Sequence, residues 1–442
     1  MIFHTNQKGF TLIETLVGSV IFVVLALSAY KAFGVLMDTV VMSRAKLVAT
    51  TLANEKFEII RNLPYDDVGI LGGLPVGKIQ RTEIILRDDY SFTIQTTIRS
   101  TDDPFDGTIG GSPSDSSPAD YKLADLDITC SNCKTFSPLK FTTLVAPHAL
   151  ETASTNGALF IQIFDAGGIP IAGASVHITN TQTNPDTIID ETTDNTGWVK
   201  IVDAPPGINA YNITATKSGF SQDQTYPLGG IAGTDPIKPN PTVVLQQVTQ
   251  TSLSIDRVSS LTVSTVNSSC VILPTVDFSL TGAKRISDIP EILKYGTQNF
   301  TTDSLGNYVV SDLEWDTYRV LLTSPLYDLA GTTPLPSLVL NPNENKNLQM
   351  IIVPHVDGAL LVSVQDFSNV AIDGASVHLD KIGFDETKTT NSDPCATPGQ
   401  VFWNGLETGT YTLTISQTGY QTSISTVDIS TNWQNQNITL IP

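Results

Sequence analysis

No proline interrupts the chain between Phe10 and Leu63, and Pro64 then ends the run. Because proline breaks the helical hydrogen-bond ladder, this stretch permits a single helix of about fifty residues. Its first half is apolar enough for a membrane. Sixteen uncharged residues separate Glu14 from Lys31, somewhat fewer than the roughly 20 that span a hydrocarbon core; residues 10–13 and 32–37 supply the remaining length. The second half carries Val40, Val41, Leu47, Val48, Leu52, Ile59 and Ile60, a spacing that predicts one face packed on a sheet. Arg44, Lys46, Glu55 and Glu58 are then left nearer water.

Two charges in the apolar run are informative. Lys31 lies near its end and can snorkel to the interface, whereas Glu14 lies inside it and is costly there without a partner. The nine residues ahead of the run, MIFHTNQKG, are polar, with Lys8 as the fixed charge. A conventional secretory signal is cut after its apolar region, not before it. Cleavage after Gly9 would expose a positively charged amine at Phe10, one helical turn from Glu14. That amine would give the carboxylate a partner in its own subunit or, better, on a neighbouring helix.

The run Lys8-Gly9-Phe10-Thr11-Leu12-Ile13-Glu14 resembles the processing motif of type IV pilins and type II secretion pseudopilins. Charge, glycine, aromatic residue, apolar run and glutamate all fall in register. The resemblance implies cleavage after Gly9 by a prepilin peptidase, N-methylation of Phe10 and a role for Glu14 in subunit registration. It also implies as partners other pilin subunits, the peptidase and the inner-membrane assembly machinery. The protein would be single-pass in the membrane with a cytoplasmic N-terminus before assembly, then part of an extracellular filament. The blander reading is an ordinary signal anchor with an incidental glutamate.

Beyond about residue 75, short runs rich in Val, Ile and Leu alternate with Thr, Ser, Asn, Gly and Pro, with no further long amphipathic helix. That pattern predicts strands and turns. The expected fold is mainly β with one long N-terminal helix: residues 1–9 a leader, 10–63 a spine helix, 64–150 a small β headgroup. Strands around residues 84–86 and 92–98, an Asp-rich loop, YKLADLDIT and a last strand before Pro147 are similar to minor pilins of the PilV type. Cys130 stands where those relatives often carry an aromatic residue. Cys130 and Cys133 could be a redox pair or half a zinc site, but zinc needs two more ligands and the five histidines are scattered. A small turn disulfide, or two plain thiols, is the favoured reading. Asp102, Asp103 and Asp106 suit a hard cation by charge, yet no DxDxDG loop is present, so a solvated turn is preferred and no metal site is expected.

After the linker ETASTNG the chain repeats itself. Gly157-Ala158-Leu159 recurs as Gly358-Ala359-Leu360, and Ala174-Ser175-Val176-His177 as Ala375-Ser376-Val377-His378. Both offsets, 358 minus 157 and 375 minus 174, equal 201, room for two units of about 100 residues. A middle copy beginning near Thr262 supplies LTVSTV, VDFSLTG and Thr302-Asp303-Ser304-Leu305-Gly306, which parallels Thr193-Asp194-Asn195-Thr196-Gly197. Three tandem sandwiches are expected, at 157–250, 258–354 and 357–442. They resemble carboxypeptidase regulatory-like and Cna-B-type immunoglobulin-like modules, which implies a spacer or binding role. Some stalk domains of that kind carry a Lys to Asn crosslink from a first-strand lysine; FIQIFD, LTVSTV and LVSVQD have no lysine, so none is expected. His177 and His378 read as repeated strand residues, and Trp315, Trp403 and Trp433 as core or inter-module packing in preference to exposed sugar-stacking faces.

Asp and Glu outnumber Lys and Arg by 44 to 24, a net charge of -20 that repels phosphate backbones and disfavours nucleic-acid binding. The leading function is a minor pilin displaying its β-modules to an unidentified surface or cell ligand. A secretion pseudopilin is the alternative. A pilin-anchored exported enzyme ranks lowest, since no G-x-S-x-G elbow, HExxH or paired Ser and His is found; neither catalysis nor a cofactor is expected.

Overall fold

The chain opens with one helix, Leu12–Asn62, of 51 residues, about 76 Å long at 1.5 Å per residue. The computed structural model describes residues 11–134, 136–147, 154–230, 235–391, 395 and 397–442, so Lys8, Gly9, Phe10 and the leader 1–9 lie outside the described residues. The helix ends at Leu63, whose backbone is extended because a residue ahead of proline is pushed out of the helical region. Side chains over residues 11–41 are all exposed.

Packing begins at Ala45 and follows the stripe Ala45, Ala49, Leu52, Ala53, Phe57 and Ile60. This corrects the expected face in part. Leu52 and Ile60 are buried, but Leu47 is 69% and Ile59 48% exposed. The reason is steric: alanines four residues apart let the sheet approach the helix axis, so the small residues define the contact and bulkier neighbours turn away.

The sheet they meet is a four-stranded antiparallel meander of Thr82–Arg87, Tyr90–Thr101, Tyr121–Cys130 and Leu139–Val145. Alternate residues Phe92, Ile94, Ile98, Ala124, Leu126 and Ile128 point at the helix and are almost fully buried, as the period of two in a strand requires.

Three sandwiches follow, each made of two main sheets, and the second adds a two-stranded ribbon of Arg285–Asp288 and Glu291–Leu293. In each, the first strand (Gly157–Phe164, Ser259–Asn267, Leu360–Gln365) pairs antiparallel with an edge strand of its copy (Trp198–Ala204, Asn307–Leu313, Gln400–Trp403). On its other edge it pairs parallel with the closing strand (Val248–Ser254, Asn345–Pro354, Gln434–Thr439). The facing sheet is built on Ser175–Asn180, Asp277–Gly282 and Ser376–Lys381. The first closing strand carries its sandwich past the expected end at residue 250.

The repeats share hydrogen bonds as well as strands. Tyr211, Tyr318 and Tyr411 are buried and donate their phenolic hydroxyls to the carbonyls of Pro205, Glu314 and Glu407 at 2.6, 2.9 and 3.0 Å. Buried Thr193, Thr302 and Thr390 accept from the backbone N–H of Ala174, Val276 and Ala375 at 2.9, 3.0 and 2.9 Å. Asp194 and Asp303 each take two N–H groups of the turn that follows, and this turn is what the repeated Thr-Asp-x-x-Gly string encodes.

Candidate functional site

Glu14 sits in the first turn of the helix. Its backbone N–H donates to Thr11 Oγ1 at 3.3 Å, and its carboxylate accepts from the Thr11 N–H at 3.4 Å. This capping box satisfies two helix-end donors and places a negative charge at the positive end of the helix dipole. The carboxylate therefore sits at the start of the helix; its expected partner, the Phe10 amine, is outside the described residues. The helix is long and apolar enough, by length and composition, to cross a membrane.

Cys130 and Cys133 form a disulfide at the end of the third headgroup strand. Asn132, inside the loop, accepts from Ser91 N at 2.8 Å and donates to Asp89 O at 2.7 Å, so the bridge pins the loop onto the adjacent hairpin. In the Asp-rich loop, Asp102 accepts from Ile109 N at 3.0 Å and Asp103 from Phe105 N at 3.2 Å. Burial pushes the Asp102 carboxyl up, partly opposed by the Ile109 bond. The three carboxylates that converge, with ligand atoms within 4.8 Å of one another, are Asp106, Asp115 and Asp120; Asp102 and Asp103 are not among them.

His177 and His378 lie in different sandwiches, each beside an aspartate of the adjoining strand: Asp190 at 2.6 Å and Asp385 at 3.0 Å. Trp403 is in the core of the third sandwich. Trp433 crosses to pack on the core of the second and donates Nε1–H to Leu329 O at 2.8 Å. Trp315 lies under the Lys284 ammonium, 3.3 Å from its ring centre.

Each unit is tied to the next. Arg99 of the headgroup bridges Asp125 and, at 3.3 Å, Glu191 of the first sandwich, while Arg81 meets Asp190 at 2.7 Å. Burial raises the Glu191 carboxyl, and Arg99 opposes that shift. Between the first and second sandwiches, Lys294 spans Asp223 and Glu314 at 3.8 and 2.6 Å. Between the second and third lies a second disulfide, Cys270 to Cys395. Beside it, Gln400 accepts from Thr332 N at 2.9 Å and donates to Thr332 O at 2.7 Å. Sequence reading missed this staple: its cysteines are 125 residues apart, and no local pattern links them.

The model of the prokaryotic N-terminal methylation motif matches residues 4–30. No curated protein matches the chain. Among solved structures, the Bacillus anthracis TIE protein is 14% identical, with 82% of this chain and 74% of that one covered and a TM-score of 0.20. A streptococcal ancillary pilin is 15% identical over 64% of this chain and 98% of its own, TM-score 0.18. BcpA, the major pilin subunit of Bacillus cereus, is 12% identical over 64% and 98%, TM-score 0.16. Superpositions that slight carry no functional argument. The motif does: it implies processing by a prepilin peptidase and assembly with other pilin subunits, and with the apolar helix it marks a membrane-anchored, pilin-like subunit.

Proposed function

We propose that this chain is a minor type IV pilin, sparse in its filament, that displays three carboxypeptidase regulatory-like or Cna-B-like sandwiches for contact with a surface or another cell. The observation that carries the reading is the division of the helix. Residues 45–60 bury a small-residue stripe against the headgroup, whereas residues 11–41 bury nothing. Exposed apolar side chains continue past that half at Leu47 and Ile59, on the side away from the headgroup sheet. A helix left bare along half its length is suited first to a bilayer and then to a bundle of identical helices, with Glu14 meeting a neighbour's amine. The PilV-like headgroup order supports a minor subunit. So does bulk: residues 154–442 project beyond the headgroup and would crowd a shaft made of this subunit alone.

The role is structural and adhesive, not enzymatic. N-terminal sequencing of the mature protein is expected to begin at methylated Phe10, and immunogold labelling to decorate surface filaments at intervals. An intact Met1, or cleavage after residue 30, would sink the reading; labelling confined to the envelope would favour the pseudopilin alternative.

A further inference from the structure

The junction of the second and third sandwiches forms a solvent-open cavity of about 390 Å³, in the size range of small-ligand pockets. It is lined by Ser324, Tyr327, Asp328 and His355 of the second sandwich and by Asn432 and Trp433 of the third. A smaller cavity of about 260 Å³ separates the first and second sandwiches, but its polar groups satisfy one another. There Lys284 and Lys294 hold Glu314 at 2.7 and 2.6 Å, and Lys238 holds Asp223.

In the larger cavity three polar groups are unspent. Among the described residues, the Ser324 hydroxyl, the Tyr327 phenol and the Asn432 amide have no hydrogen-bond partner. All three can both donate and accept. Asp328, 2% exposed, is fixed: it lies 2.8 Å from His355 Nδ1 and accepts from Val356 N at 3.0 Å. The bond to Asp328 raises His355 above the ordinary imidazole value, and with the Val356 N–H it meets the hydrogen-bonding capacity of the buried carboxylate within the fold. Trp433 has already spent its N–H on Leu329 O, and what remains to the cavity is ring carbon.

An aromatic wall, two-way hydrogen-bonding groups and a carboxylate already bonded within the fold match one ligand chemistry. Sugar C–H faces pack on aromatic rings, and sugar hydroxyls need partners that donate and accept. A cationic ligand would draw on the carboxylate beside the rings, but Asp328 is already bonded to His355 and to the Val356 N–H, and an anionic one would meet a chain of net charge -20. We infer that the junction cavity binds a neutral saccharide of one or two rings. The inference gives the display reading its ligand class and rests on it for biological use, but the binding itself does not depend on filament assembly.

The test uses the full chain in detergent micelles, titrated calorimetrically with glucose, galactose, mannose, N-acetylglucosamine and lactose. Tetramethylammonium and glucuronate serve as charged comparators. At least one neutral sugar is expected to bind, and to bind about tenfold more weakly or worse in Ser324→Ala and Asn432→Ala. These two side chains make no bond within the fold, so thermal unfolding should not change. The inference is overturned if no neutral sugar binds, if both variants bind as the parent does, or if only a charged comparator binds. Filament labelling reads the display role separately: sugar binding without filaments would defeat that role alone, and filaments without sugar binding would defeat this inference alone.

Discussion

Replacing Cys270 and Cys395 together by serine tests whether the second and third sandwiches behave as one body. The bridge closes a sequence separation of 125 residues, for which chain entropy gives about 5 kcal/mol, while measured disulfides more often contribute about 2 to 4 kcal/mol. The roughly 185 residues from 258 to 442 carry an unfolding entropy of about 0.4 kcal/mol/K. The transition of the pair should therefore fall by about 5 to 13 °C. It should not split, because other contacts persist: the two Gln400 bonds to Thr332, Trp433 on the neighbouring core, and Phe402 packed against Val266, Ala330 and Ile351. Calorimetry of the full chain in micelles reads this, with reductant on the parent as an independent perturbation. A shift below about 2 °C would refute the entropic argument, and two separate transitions in the serine pair would refute the single-body argument. An equal shift in the first sandwich would show that the effect is not local.

Other expectations follow from the same contacts. Tyr318→Phe removes the donor to Glu314 O at 2.9 Å and leaves a carbonyl without it, so urea unfolding should show a loss of about 1 to 3 kcal/mol. Thr193→Val removes both the acceptor for Ala174 N and the donor to Ile171 O at a buried site, with a cost of about 1 to 3 kcal/mol by the same assay. The Glu191 carboxyl is raised by burial, so its contribution to stability is fully present below the unfolded glutamate value of about 4.3 and is lost as pH rises through the higher folded value. Glu191→Gln should flatten unfolding free energy across that window without destabilising the chain at neutral pH, because Arg99 keeps Asp125; a steeper pH dependence would contradict this. Glu14→Leu should leave the headgroup fold intact yet abolish recovery of the protein in sheared filaments, and undiminished recovery would remove Glu14 from assembly.

Local and periodic features were legible in the sequence. Absence of proline from residue 10 to 63 announced a helix that the structure bounds at Leu12 and Asn62. The repeated Thr-Asp-x-x-Gly string is short-range chemistry, and it recurs as the same turn in the first two sandwiches. Reading failed where shape outweighed hydropathy. Leu47 and Ile59 were apolar enough for the packed face, but Ala45, Ala49 and Ala53 occupy it, because close approach of helix and sheet rewards small side chains there.

By itself, then, the sequence determined the N-terminal methylation motif within residues 4–30, the single long helix and the repetition of β-units. These depend on residues near one another along the chain or on a fixed period. Tertiary structure alone decided how consecutive units meet: Arg99 on Glu191, Lys294 between Asp223 and Glu314, Cys270 on Cys395, and Trp433 lining a cavity begun by Ser324 and Tyr327. Such pairs arise from the angle at which one sandwich seats on the next. That angle is set by the sum of many weak interfacial contacts, and no stretch of sequence encodes it by periodicity.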